Sequence, residues 1–332
     1  MENTVRRNQV VYALLVSAQA CAALPSAVAA PSNAYPTKSI RFVVPFTPGG
    51  SADIFARAIA QKMSDAWGQQ VVIDNRGGSA GIMGSEIAAK APADGHTLMM
   101  GITANIAINP GLYPKLPYDP ATELVPITHF VDTPMVLFAN AAFPAQSVKD
   151  LIALAKAEPG KYGVALAGVG GASHLTLELF KIRAGINLLP VPYRGAGAAM
   201  GDIAGGTVPM IFTGVAAAKP LLDTGRARAI AVCSRTRTGS LPNVPTFEEL
   251  GYPGMDAPLW IGMMAPKGTP ERIIAKLDAE FRKALAAPDV RERLAAQSAD
   301  IVAAGPREFG AMIRRDAARW REVVKTANIK ID

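Results

Sequence analysis

Two α/β lobes, each a mainly parallel sheet flanked by helices, are what this sequence predicts, on three observations. Short apolar runs alternate with glycine-rich turns and amphipathic segments, which is the rhythm of a parallel sheet covered by helices. A proline-punctuated stretch from Pro110 to Pro134 interrupts the alternation, which then resumes. The chain has 332 residues, more than a single hydrophobic core usually organises.

Residues 1–29 read as an export signal. Arg6 and Arg7 precede an apolar stretch from Val10 to Leu24, and Ala27-Val28-Ala29 supplies the small-x-small pattern of a cleavage site. Cutting after Ala29 fits best, because cutting one residue later would put Pro31 directly after the scissile bond. The apolar stretch is shorter than the ~20 residues a spanning helix needs. Cys21 would suit a lipoprotein, but Ala18-Gln19-Ala20 lacks the large aliphatic residue expected before it.

In the first run Ile40–Val44 is a strand, ended by Pro45-Phe46-Thr47-Pro48-Gly49-Gly50. Phe55, Ile59, Met63 and Trp67 recur at every fourth position as one helix face. Residues 71–73 form the next strand, Gly77 to Gly81 lead into a helix through Ala89, and 97–100 follow as a strand. In the second run Ser147 and Asp150 read as a capping box opening a helix through Ala157. Strands are expected at 162–166, 188–193, 208–212 and 227–233, with a helix starting at Ser173. Residues 241–258 read as a connection.

Thr269-Pro270 places a capping residue before a first-turn proline, and Ile273, Leu277, Phe281 and Leu285 follow as a stripe. A final helix carries Phe309, Met312, Ile313, Trp320 and Val323. The tail is therefore expected to be helical, without a strand of its own, and to pack back on the first lobe. Lobe 1 would be residues 30–132 with 257–332, and lobe 2 residues 133–256. The apolar, extended segments 125–139 and 258–265 would cross between them. Two crossings make a hinge, and a hinge implies a cleft that closes.

The bulk chemistry excludes several classes. Half the chain is apolar, so it is not disordered. Cys233 is the only cysteine outside the leader, which excludes an intrachain disulfide, a cysteine metal site and a redox pair. The formal charge of +7 is spread along the chain. Its densest cluster, Arg314, Arg315, Arg319 and Arg321, alternates with Asp316 and Glu322 around Trp320 and reads as a solvated helix face. Nucleic-acid binding would want a basic stripe with stacking aromatics, and none is visible. A modest positive field could still steer an anionic solute inward.

Four turns follow strands and precede helices: Pro48 to Asp53, Thr103-Ala104-Asn105, Gly168 to His174, and Arg194 to Gly197. Glycine lets the backbone approach a ligand, and a helix start aims free N–H groups and partial positive charge at the same point. Carboxylate or phosphate is the natural guest. Each turn alone fits an ordinary tight connection; the conjunction argues for a site. Gly195 to Gly201 resembles a dinucleotide fingerprint, but its third glycine comes one residue late and no strand-ending acid follows. Asp53 either complements its helix dipole, accepts from a ligand amine or holds the turn's amides. His174 either donates to a carboxylate or caps its loop. His96 and His129 have no metal-ligand spacing, and Ser173 has no base-and-acid set around it.

With these segments in hand, the chain closely resembles the Bug-type periplasmic substrate-binding proteins of the tripartite tricarboxylate transporter family. The resemblance rests on Val44 to Asp53, Asp74 to Gly78, Asp94 to Leu98, Ser173-His174-Leu175 with Glu178-Leu179-Phe180, and Val191 to Gly195. Leu241 to Thr246 and Ala265 to Pro270 complete it. It runs over essentially the whole chain beyond the leader. What the resemblance implies is a periplasmic-binding-protein (Venus flytrap, type II-like) fold holding a carboxylated solute between its lobes. It places Phe46, Gly50, Ser51, Ala52 and Asp53 on the first lobe, with Thr103 and Asn105 adding polar contacts. Gly168, Ser173, His174 and Gly195 lie opposite. It implies no cofactor, no metal and no catalysis, a monomer, and a di- or tricarboxylate, acidic amino acid or aromatic acid as ligand. Partners would be integral membrane subunits, or a sensor kinase if the receptor serves signalling. A secreted carboxylate-processing enzyme would need a nucleophile or metal, and neither is visible.

Overall fold

The computed structural model describes residues 35–46, 48 and 51–331, and the leader lies outside them. One sheet draws its strands from both ends of that span: β1 (Ile40–Val44), β2 (Val71–Asn75), β3 (Thr97–Ile102), β4 (Leu124–Thr133), β10 (Leu259–Pro266) and β11 (Asp300–Ala304). The intervening chain makes the other: β5 (Met135–Asn140), β6 (Gly163–Leu166), β7 (Leu189–Pro192), β8 (Met210–Gly214) and β9 (Ala227–Cys233). The strand orders are β11-β4-β10-β3-β1-β2 and β7-β6-β8-β5-β9.

In the first sheet β1 runs parallel to β2 and β3, and β10 lies antiparallel between β3 and β4. In the second, β6 is parallel to β7 and β8, and β5 lies antiparallel between β8 and β9. The inserted antiparallel strand is in each case one by which the chain arrives from the other lobe. Between β4 and β5 stands only Pro134, which has no N–H to continue a ladder. Thr133 pairs with Leu259 in one sheet while Met135 pairs with Cys233 in the other. The architecture is two-lobed, but each sheet is mixed and not mainly parallel as expected, because the crossing strands and the edges beside them pair antiparallel with the parallel core.

Helices cover the faces: α1 (Ser51–Trp67), α2 (Ile82–Ala89), α3 (Asn109–Leu112), α4 (Val148–Ala157), α5 (Ala172–Ala184), α6 (Ala196–Gly205), α7 (Val215–Asp223), α8 (Glu271–Ala286), α9 (Pro288–Ala296) and α10 (Pro306–Thr326). Strand β1 is apolar at every position but Arg41 because Ile40, Phe42, Val43 and Val44 are all fully buried, while half-buried Arg41 pairs with Asp74 on the neighbouring strand β2. Helix α1 sets Phe55, Ile59 and Met63 into that core, each burial contributing about 1.5–3 kcal/mol. In the second lobe Phe180, Phe212 and Phe247 pack with ring centroids 5.1–6.1 Å apart.

The tail departs from the expectation of helices alone. Asp300–Ala304 forms an antiparallel edge strand on β4, pairing Asp300 with Asp132 and Ile301 with Val131. An alanine-rich run with only two β-branched residues carries little strand signal of its own; the open edge of β4 supplies the hydrogen bonds that hold it extended. The arginine-rich helix face also divides. Asp316 and Trp320 are buried, whereas Arg314, Arg315 and Arg321 are exposed. Between the lobes the packing is close: a Cβ built on Gly170 would lie 2.7 Å from Leu112 and 3.2 Å from Ile331. No helix among the described residues is long and apolar enough to cross a membrane.

Candidate functional site

The first-lobe turn leaves the carboxyl end of β1 and enters α1. Gly50 lies outside the described residues, Ala52 is buried, and Asp53 is buried in the first turn of α1. One Asp53 carboxylate oxygen accepts from Arg57 Nε at 3.0 Å and the other from Asn75 Nδ2 at 3.0 Å. Asn75 Nδ2 also donates to the Phe46 carbonyl at 3.2 Å, and Arg57 donates to the Asn75 amide oxygen at 3.2 Å. Asp53, Arg57 and Asn75 thus form a closed triangle that clamps the turn to the end of β2. Asn75 was not singled out by the sequence; its only signal was its place in Asp74-Asn75-Arg76-Gly77-Gly78, at a strand end before a glycine turn.

The neighbouring turn packs onto this one. Gly81 begins α2 at φ 84°, and a Cβ there would meet the Phe46 ring at 3.1 Å and Asn105 at 3.2 Å. Glycine is therefore required both by backbone conformation and by space. Asn105 is fully buried, accepting from the Ile102 amide at 2.8 Å and donating to Ser85 Oγ at 2.8 Å. Ser85 donates onward to the Gly81 carbonyl at 2.8 Å, and Tyr118 donates to the Asn105 carbonyl at 2.5 Å. Burial holds the Tyr118 hydroxyl above its usual range, so it stays a donor. Thr103 is also buried; its hydroxyl accepts from the Trp260 amide at 2.9 Å and donates to the Pro258 carbonyl at 3.4 Å. Thr103 to Ile108 wind as a π-helix, a form often found beside functional sites.

In the second lobe the turn after β6 is tied down by the first residues of α5. Ser173 Oγ accepts from the Ala167 amide at 2.7 Å, and His174 Nδ1 accepts from the Gly170 amide at 3.1 Å. A ring nitrogen that accepts carries no proton, so the His174 proton sits on Nε2, which faces Glu178 Oε1 at 4.0 Å. Burial lowers the His174 pKa below its ordinary value, against the opposing pull of Glu178. Gly168 (φ 136°) and Gly170 (φ 72°) give the loop its course. Helix α5 starts at Gly171 and α6 at Gly195 (φ 153°), and neither has a side-chain cap. Their first amides are the unsatisfied donors that attract anions.

The candidate residues thus fall into two constellations, one in each lobe at the carboxyl ends of its parallel strands, where open α/β sheets present ligand sites. In both, the side chains are spent holding backbone. A different cavity, of ≈ 520 Å³, lies away from these turns, where His129, Asp132, Asp256, Asp316 and Arg319 gather at the chain crossings. No cluster of metal-ligating side chains occurs among the described residues.

Two lobes, each a mixed sheet flanked by helices and joined by inserted antiparallel strands, define a periplasmic binding protein by class. The model of the tripartite tricarboxylate transporter family receptor matches residues 55–329, and the chain belongs to that family. Protein BugT of Bordetella pertussis is 39% identical over 307 residues, 92% of this chain and 94% of that one. The structure of R. palustris Rpa4515 with adipate is 35% identical with TM-score 0.77, covering 90% of this chain and 99% of that one. MatC from Rhodopseudomonas palustris with bound malate is 31% identical with TM-score 0.73, covering 87% and 100%. The chain is therefore similar to solved solute receptors across nearly its whole described length.

Proposed function

We propose that this chain is an exported periplasmic receptor that holds a small carboxylate between its lobes and delivers it to integral membrane transporter subunits. In this reading residues 1–29 are the cleaved leader, 30–132 with 257–332 form one lobe, and 133–256 form the other. The ligand lies where the Phe46, Gly50, Ser51, Ala52 and Asp53 turn faces the Gly168, Ser173, His174 and Gly195 turns. The observation that carries the reading is the pair of glycine-capped helix starts at Gly171 and Gly195, whose amides no side chain caps. An anion there gains charge-assisted hydrogen bonds and the favourable end of two helix dipoles. The adipate and malate held by two relatives are of the corresponding chemical class.

Roles then separate by geometry. Backbone amides grip the carboxylate. Asp53, Asn105, Ser173 and His174 act through the backbone they hold, and Thr103 ties the first-lobe turn to the returning chain. Among the described residues no group in either constellation is set up as a nucleophile with its base, so binding without turnover is the activity this arrangement supports.

A thermal-shift screen of refolded, ligand-free protein tests the reading, using dicarboxylates, acidic amino acids and aromatic acids beside their amides. Ligand at a hundred times its Kd stabilises by about 2.7 kcal/mol, a shift of several degrees. A shift with an acid and none with its amide supports a carboxylate receptor. Equal shifts with both, or none with any acid, count against it.

A further inference from the structure

Helix α10 carries four arginines, and they do different things. Arg319 is bound to Asp316 and to the Asp256 carbonyl. Arg314 and Arg321, at positions i and i+7, lie two turns apart on one face, ~10 Å along the axis. Both are exposed, and among the described residues neither has a hydrogen-bond or ion-pair partner. Alongside them opens a cavity of ≈ 310 Å³, at the lower end of the size of small-molecule sites.

The wall of this cavity is apolar, built by Ile106, Leu124, Met264, Ile313 and Ala317. Asp119, the one carboxylate in its lining, is consumed within its own loop, accepting from the Ala121 amide and the Thr122 hydroxyl at 2.9 Å each. Among the described residues neither guanidinium is ion-paired, and two cations against the single Asp119 carboxylate leave the rim of an apolar recess net positive. None of the glycine turns contributes to it.

We propose that this recess is a second ligand site, separate from the turns, for an amphipathic carboxylate. The apolar tail lies against Ile106, Leu124 and Met264, and the carboxylate is taken by Arg314 and Arg321 at the rim. Guanidinium suits this task because it forks onto a carboxylate with two parallel hydrogen bonds. The cavity accommodates a short aliphatic or single-ring body and not a long acyl chain.

Isothermal titration of the mature protein with octanoate tests this, with octanamide as the uncharged control. The same titration is run on the double variant Arg314→Gln/Arg321→Gln, on Ala317→Phe, which fills the recess, and on Gly195→Val, which disturbs the turns. Saturable octanoate binding is expected in the wild type and in Gly195→Val. It should be about tenfold weaker in the double variant and in Ala317→Phe, each shown folded by its melting curve. Absence of saturable binding, equal binding of octanamide, or retention in the double variant overturns the proposal. Loss in Gly195→Val with retention in the double variant places octanoate at the turns instead, which overturns this inference while leaving the receptor reading standing.

Discussion

Asp53 is the side chain whose role changes most once its neighbours are known. A buried carboxylate in a first helical turn could have faced a ligand amine; here both its oxygens are held by Arg57 and Asn75. Removing either partner leaves buried polar groups unsatisfied, which costs ~1–3 kcal/mol. Asp53→Ala and Asn75→Ala are each expected to lower stability by about that amount and to weaken ligand binding. Because the two share one network, the double variant should lose less than the sum, as a urea-denaturation cycle would show. His174 carries a pH signature. Its folded pKa lies below the ordinary 6.5, so the unfolded chain takes up the proton more readily. Stability from this group is complete above pH ~6.5 and is lost as the pH falls toward the folded pKa. Melting temperature should therefore drop on acidification through that window, and His174→Gln should flatten the drop. An unchanged pH profile in the variant would remove His174 as its source.

At the scale of elements, two glycines of one loop separate strain from contact. Gly168 and Gly170 both have positive φ, so alanine at either costs about 1 kcal/mol in backbone conformation. A Cβ at Gly168 meets nothing within 4 Å, whereas one at Gly170 meets Leu112 of the first lobe at 2.7 Å. Gly170→Ala is expected to push the loop from α3, enlarge the ligand-free radius of gyration and weaken ligand binding more than Gly168→Ala does. Small-angle scattering with titration compares them directly; equal effects would mean the lobe contact at Gly170 does not control closure. Strand β11 teaches the opposite lesson, since its extended form comes from the edge it joins and not from its own residues.

For the whole molecule the decisive region is the crossing. Trp260 donates to Asp316 at 2.7 Å, and Arg319 joins Asp316 to the carbonyl of Asp256, whose carboxylate accepts from Arg235 at 2.8 Å. Burial pushes the Asp316 carboxyl up while Arg319 and Trp260 oppose that. The network ties the tail helix to the start of the returning segment and, through Asp256, to Arg235 beyond the end of β9. Arg319→Ala leaves Asp316 buried with its cation gone, a loss of about 3 kcal/mol. It should also loosen the lobes, so that the apparent ligand Kd rises along with the fall in melting temperature. A fall in melting temperature alone would confine Arg319 to a structural role.

Much of this was legible in the chain because it depends on local rules. Strands such as Ile40–Val44 and Ala227–Cys233 announce themselves by apolar runs ended by turn residues, and α1 by a fourfold apolar repeat. The glycine turns stood out because glycine takes positive φ, such as 136° at Gly168 and 153° at Gly195, without the strain a side chain would add. What stayed hidden depends on partners distant in sequence. Asn75 becomes part of the turn only when β2 lies beside β1, and Asp316 becomes buried only when α10 packs over Trp260. By itself, then, the sequence determined two α/β lobes, the paired crossings and the glycine turns proposed here to take an anion, because periodicity and backbone freedom are properties of short segments. Tertiary structure alone decided which side chains hold those turns, that the tail adds a strand, and where the hinge network and the arginine-rimmed recess lie. Hydrogen-bond partners and burial exist only once segments far apart in the chain are brought together.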